Sequence, residues 1–172
     1  MRIIVSLVLL SCCALGQNKA ETTAAIPAPM LTGMKVFVAN AGWDEPFYEE
    51  PLFSGGPDRA YKQFYEATKA WRHYEIMSGP SDADILFEIG FSVPRTDVKA
   101  VRGEPLLFPI PYDPQFRLLI RDAKTNALLW AISEHVEWAI TKGNRDKNFD
   151  KGIARLIDDL RRVCASEPIS RK

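Results

Sequence analysis

Apolar and polar residues alternate along three stretches of this chain and recur every three or four positions along two others. From Ile85 to Phe91, Ile85, Phe87, Ile89 and Phe91 share one side while Leu86, Glu88 and Gly90 share the other. A period of two with large apolar side chains on one side predicts a strand with one face on a core. Gln115 to Arg121 repeats the pattern with Phe116, Leu118 and Ile120 inward, and Leu128, Trp130 and Ile132 repeat it again. The polar stretch Asp122, Ala123, Lys124, Thr125, Asn126 lies between them, and Asn126 tolerates a left-handed backbone, so these two strands are predicted to form a hairpin. Lys35 to Ala39 supplies an earlier strand, and Tyr74 to Met77 a short one ended by Ser78, Gly79 and Pro80.

Helical periods predict two longer elements. The first helix begins near Pro57 or Asp58, where proline suits the opening turn and the carboxylate complements the helix dipole. Ala60, Phe64, Ala67 and Trp71 then form one stripe, flanked by Tyr61 and Thr68. The last helix is predicted from about Asn148, as its cap, to Cys164, with Phe149, Ile153, Leu156, Ile157, Leu160 and Val163 on one face. Two amphipathic helices and several one-sided strands predict an α+β fold. Its expected form is a two-layer sandwich: a mostly antiparallel sheet of four or five strands with both helices on one face.

The amino terminus reads differently. Met1 and Arg2 precede an apolar run of 13 residues, Ile3 to Leu15, followed by Gly16 and Gln17, the layout of a secretory signal peptide. A membrane-spanning helix needs about 20 apolar residues. Ala14 and Gly16 are the small residues a signal peptidase requires before a cut at Gln17. The competing reading places lipid on Cys12, but Leu10 departs from that motif and the apolar stretch before the cysteine is short. The expected organisation is a signal peptide at 1–16, a flexible Ala/Thr/Pro-rich linker at 17–33, one domain at 34–166 and a disordered tail at 167–172. The expected location is the periplasm or the exterior, with a membrane-tethered lipoprotein as the alternative.

Composition narrows the function classes. Lys+Arg and Asp+Glu both number 22, and losing Arg2 with the signal leaves 21 − 22 = −1, so no field draws nucleic acid. Loss of Cys12 and Cys13 leaves Cys164 alone, which excludes an internal disulfide or a zinc cluster of cysteines. Cys164 is expected as a buried small apolar side chain at a helix end and not as a reactive thiol. No Gly-x-Ser-x-Gly elbow occurs. Asn144, Asp146, Asn148 and Asp150 alternate as in a calcium loop, yet the sixth position is Phe149 and the twelfth Arg155. Gly55 and Gly56 precede a helix without the lysine of a phosphate loop. No cofactor is expected.

The strands DADILFEI at Asp82 to Ile89 and QFRLLIRDAKTNALLWAISEHV at Gln115 to Val136, followed by a closing amphipathic helix, resemble short exported bacterial proteins of unknown function. They are similar to periplasmic domain-of-unknown-function lipoproteins whose α+β fold is like that of the amino-terminal TolB domain and the curli-secretion lipoproteins. The resemblance implies an element order over roughly Lys35 to Cys164 and no catalytic residue.

Two loops carry the candidate contacts. Trp43, Phe47, Tyr48 and Phe53 mix with acidic residues between Asn40 and Gly56, a composition that suits a partner site. Val93 to Pro114 holds five prolines and the run Leu106, Leu107, Phe108, Pro109, Ile110, which either binds another protein or folds back over the sheet. The expected function is a non-enzymatic exported module that binds an envelope protein or assembles with itself. The alternative is a small exported metal-dependent hydrolase using His135, Glu137 and His73, the first two lying two apart on a predicted strand. Mass spectrometry of the exported chain is expected to find an unmodified terminus at Gln17. A diacylated Cys12 would reverse the processing assignment.

Overall fold

A computed structural model describes residues 25–45, 51–95 and 112–165. The elements are α1 (Ala28–Thr32), β1 (Lys35–Asp44), α2 (Arg59–Trp71), β2 (Glu75–Ile76), β3 (Ile85–Ser92), β4 (Gln115–Asp122), β5 (Leu128–His135) and α3 (Lys142–Ala165). The five strands form one sheet in the order β2-β1-β3-β4-β5. β3, β4 and β5 pair antiparallel along their whole lengths, whereas β1 runs parallel to both β2 and β3. The parallel half follows from α2, which carries the chain from β1 back to the start of the sheet before β2 begins.

The period-two stretches place their apolar sides inward. Val36, Val38, Ile85, Phe87, Ile89, Phe91, Phe116, Leu118, Ile120 and Ile132 are buried, and both long helices cover that one face. α2 contributes Ala60, Phe64 and Thr68, with the Thr68 hydroxyl donating to the Phe64 carbonyl at 2.8 Å. That bond satisfies the hydroxyl of a fully buried side chain. α3 contributes Phe149, Gly152, Ile153, Leu156, Ile157 and Leu160. Gly152 marks the closest approach, since a Cβ there would lie 3.0 Å from both Phe116 and Val136.

Phe149 is fully buried and sits in an aromatic seat. Its ring centroid lies 4.7 Å from Phe116, 4.9 Å from Phe91, 5.7 Å from Trp43 and 5.8 Å from Phe53, all within the range of favourable ring pairs. The Arg59 guanidinium covers the ring at 4.2 Å. Arg59 also ion-pairs with Asp146 and Asp150, each at 2.7 Å, which ties the start of α2 to the start of α3.

Several sequence expectations are corrected. The last part of the 17–33 linker contains α1, whose Met30 is 1% exposed; five residues are too few for a helical period to show. β1 runs on to Asp44, past the expected end at Ala39, because a bulge at Asn40/Gly42 lets pairing with β3 resume. α3 starts at Lys142, and Asn148 lies inside it, donating to the Glu137 carbonyl at 2.9 Å. Its early turns are held by Arg145, which bonds the carbonyls of Leu52, Ala139 and Ile140 and lies over Trp138. Leu128, expected inward, is 53% exposed, since a register shift at Ile120/Arg121 breaks the alternation beside the hairpin. The hairpin itself has the expected turn, with Asn126 at φ 57°. Asp122 accepts from the amides of Thr125 and Lys124 and from the Thr125 hydroxyl.

Phe149→Ala is expected to cost about 3–5 kcal/mol, measured by denaturant unfolding. A loss no larger than that of an exposed substitution would show that α3 docks by other contacts. Asp146 also sets an acid limit. Burial alone would raise its pKa, but the Ser54 amide and hydroxyl and the Arg59 guanidinium outweigh that and hold it below the usual carboxylate value. A lowered folded pKa contributes stability above the unfolded value near ~4 and loses it as pH falls through the folded value. Asp146→Asn should flatten that acid loss and cost about 1–3 kcal/mol at neutral pH, read from unfolding curves across pH.

Candidate functional site

The helices leave the opposite face of the sheet without a covering layer among the described elements. Alternation puts Leu86, Glu88, Gly90 and Ser92 of β3 on that face, beside Arg117, Leu119 and Arg121 of β4. At the bulge in β1, Gly42 takes φ 102°, a value that suits glycine, and its amide donates to the Asn40 side-chain oxygen at 3.0 Å. The Asn40 amide group donates in turn to Asp58 at 3.1 Å. Gly42 stands opposite Gly90 in the ladder, so two neighbouring strands lack side chains at the same level.

Above this pair lies a hollow of about 400 Å³ with a mostly apolar lining, walled by Ala41, Trp43, Asp44, Glu88, Phe91, Ser92, Arg117 and Leu119. A Cβ added at Gly90 would meet Ala41 at 3.5 Å, an ordinary contact. The hollow is therefore an omission of side chains and not a steric necessity. Glu88 is held by Arg121 Nε at 3.0 Å, and Arg121 also donates to the Asn126 carbonyl. Arg117 and Asp44 are exposed and carry no ion pair among the described residues. The site thus offers an apolar floor, one available cation and one available carboxylate. Such a surface binds and orients; it holds no paired nucleophile and base.

The expected contact residues divide. Trp43 is half-buried, its ring 4.5 Å from Phe91, and its Nε1 donates to Glu45 at 2.7 Å. Phe53 is 1% exposed and belongs to the core, which removes it from the expected surface patch. The reason is that Glu45 also accepts from the Leu52 amide, folding the segment inward over Phe149. Phe47, Tyr48, Leu106, Leu107, Phe108 and Ile110 lie outside the described residues.

The metal-site residues do not converge. His135 ends β5 opposite Gln115, which pairs with Ser92, and its Nδ1 lies 2.8 Å from Asp113. Glu137 is exposed just beyond. His73 stacks on Trp71 at 4.7 Å beside β2, at the other end of the sheet. The eight residues of β3 separate these ends by on the order of 25 Å, so His73 cannot share a metal ion with His135. Among the described residues no group of three or more His, Cys, Asp or Glu is placed to hold a metal. The alternating oxygens near the start of α3 are spent on structure, Asp146 on Ser54 and Arg59, Asp150 on Arg59 and Gln63. Cys164 is half-buried, with its sulfur 3.0 Å from the Tyr74 hydroxyl. Burial raises its pKa and opposes thiolate formation; burial and the same contact push the Tyr74 hydroxyl up as well.

The hollow escaped the sequence reading, which took Gly90 only as an outward position. A glycine inside a strand pattern marks a bulge or a close approach, and Gly90 with Gly42 is such a signal; their pairing is visible only in the fold.

No family model matches the chain, and no curated protein matches it. Among solved structures, it is similar to a PelC dodecamer from Paraburkholderia phytofirmans, with TM-score 0.43 and 15% identity over 74% of this chain and 89% of that one. It is also similar to a neuraminyllactose-binding hemagglutinin homolog from Helicobacter pylori, at 0.45 and 9% over 80% and 85%. A third is the lipoprotein GNA1162 from Neisseria meningitidis, at 0.36 and 10% over 73% and 99%. The likeness concerns the path of the chain and assigns no role to any residue.

Proposed function

We propose that the chain is a non-catalytic, exported module of the bacterial cell envelope that binds another envelope protein through the open face of its sheet. The observation that carries this reading is the hollow over Gly42 and Gly90, where an apolar floor adjoins the uncommitted Arg117 and Asp44. An apolar side chain of the partner fills the floor, while charged groups beside it meet the cation and the carboxylate. The signal-peptide layout of residues 1–16 supports export. Among the described residues no helix is long and apolar enough to cross a membrane.

The test places a photo-crosslinking amino acid at Leu119, on the wall of the hollow, in the exported protein. A defined partner is expected to crosslink. Gly90→Leu, which fills the hollow from a position with ordinary backbone, and Arg117→Glu should each weaken capture roughly tenfold or more, about 1.4 kcal/mol, with unchanged unfolding midpoints. An identical crosslinking pattern in both variants, or no crosslink at all, would remove the open face as the binding surface.

A further inference from the structure

The two rims of the sheet differ. β2 closes one side with only two residues, a blunted edge. β5 closes the other with eight, and no strand lies beyond it among the described residues. The Val136 amide donates to the Pro114 carbonyl at 2.7 Å, which turns its backbone toward the β4 side. By alternation Glu134, Ile132 and Trp130 turn the same way, while Ala131 and Ser133 direct N–H and C=O groups outward; the outward carbonyl of His135 accepts from Arg155 of α3 at 2.9 Å, so the free stretch of the rim centres on Ala131 to Ser133. Ala131 and Ser133 are exposed. β5 contains no Lys and no Pro, two devices that protect an edge; a bulge before Trp130 and Arg155 at His135 protect its two ends and leave the middle open.

A groove of about 400 Å³ runs beside this rim between β5 and α3, lined by Trp130, Ile132 and Val163 and by the charges Asp159 and Arg162. Asp159 and Arg162 pair with each other one turn apart on α3. They flank the middle of β5, so a two-fold axis there turns the two couples toward each other with opposite charges matched.

We propose that β5 pairs antiparallel with β5 of a second copy about an axis near Ile132 and Ser133, doubling the five-stranded sheet. A two-fold contact requires a self-complementary surface. The rim meets that requirement as an extended strand with outward donors and acceptors, and the Asp159–Arg162 couple meets it in charge. A foreign peptide satisfies the backbone groups but supplies no assured match to the groove. This contact is separate from the open-face site and does not depend on it.

Light scattering on the full exported chain is expected to give twice the chain mass. The amides of Ala131 and Ser133 should exchange slowly when concentrated and quickly when dilute. Ser133→Pro removes an outward N–H without touching the β4 ladder and should give a monomer with native circular dichroism. Ala131→Lys places a charge on the rim and should do the same, which keeps the test decisive where proline disturbs the strand. Gly90→Leu should leave the dimer intact, separating this outcome from loss of partner capture. A monomer at every concentration, or a dimer that survives both rim variants, would overturn the proposal.

Discussion

The fold depends on one seating: the ring of Phe149 lodged against Phe91, Phe116, Trp43 and Phe53. Among the described residues Cys164 is the only cysteine and it is free, so no disulfide joins the second layer to the sheet there. Burial of large aromatic side chains supplies what a disulfide would otherwise contribute. The seat also sets the polar contacts around it. Arg59 covers one face of the ring and reaches Asp146 and Asp150 from there, and Asp146 holds Ser54. Hence α2, α3 and the segment carrying Phe53 are positioned together.

With both long helices on one face, the other face and one long rim have no covering element among the described residues. Each has its own physical basis. The open face is hollowed where two glycines meet across β1 and β3, so its shape arises from missing side chains. The middle of the β5 rim, at Ala131 and Ser133, directs backbone groups outward with no strand beyond it among the described residues, so its demand is for a strand. The residues that bear most resemblance to catalytic or metal groups are spent elsewhere: His135 on Asp113, Asp146 and Asp150 on Arg59, and Cys164 on Tyr74.

Much of the fold was legible in the sequence. The alternation in β3 and β4, the Asn126 turn, and the stripe from Phe149 to Leu160 each reflect a local period that survives in the structure, because each element buries one side against a continuous layer. The early start of α3 was not legible, since Gly143 and Asn144 are weak helix formers held there by the reach of Arg145 to Leu52, Ala139 and Ile140. The candidate site was less legible still. Trp43 and Phe53 looked like exposed loop aromatics, and only the inward fold around Glu45 put Phe53 in the core and Trp43 against it.

By itself the sequence determined the two-layer plan and, for β3 and β4, the side of the strand that faces the helices. These are properties of neighbouring residues. The tertiary structure alone decided that β1 runs parallel to β3, that Gly42 stands across from Gly90, and that His73 and His135 sit at opposite ends. Each of these depends on register between segments far apart in the chain, and no local period carries that information.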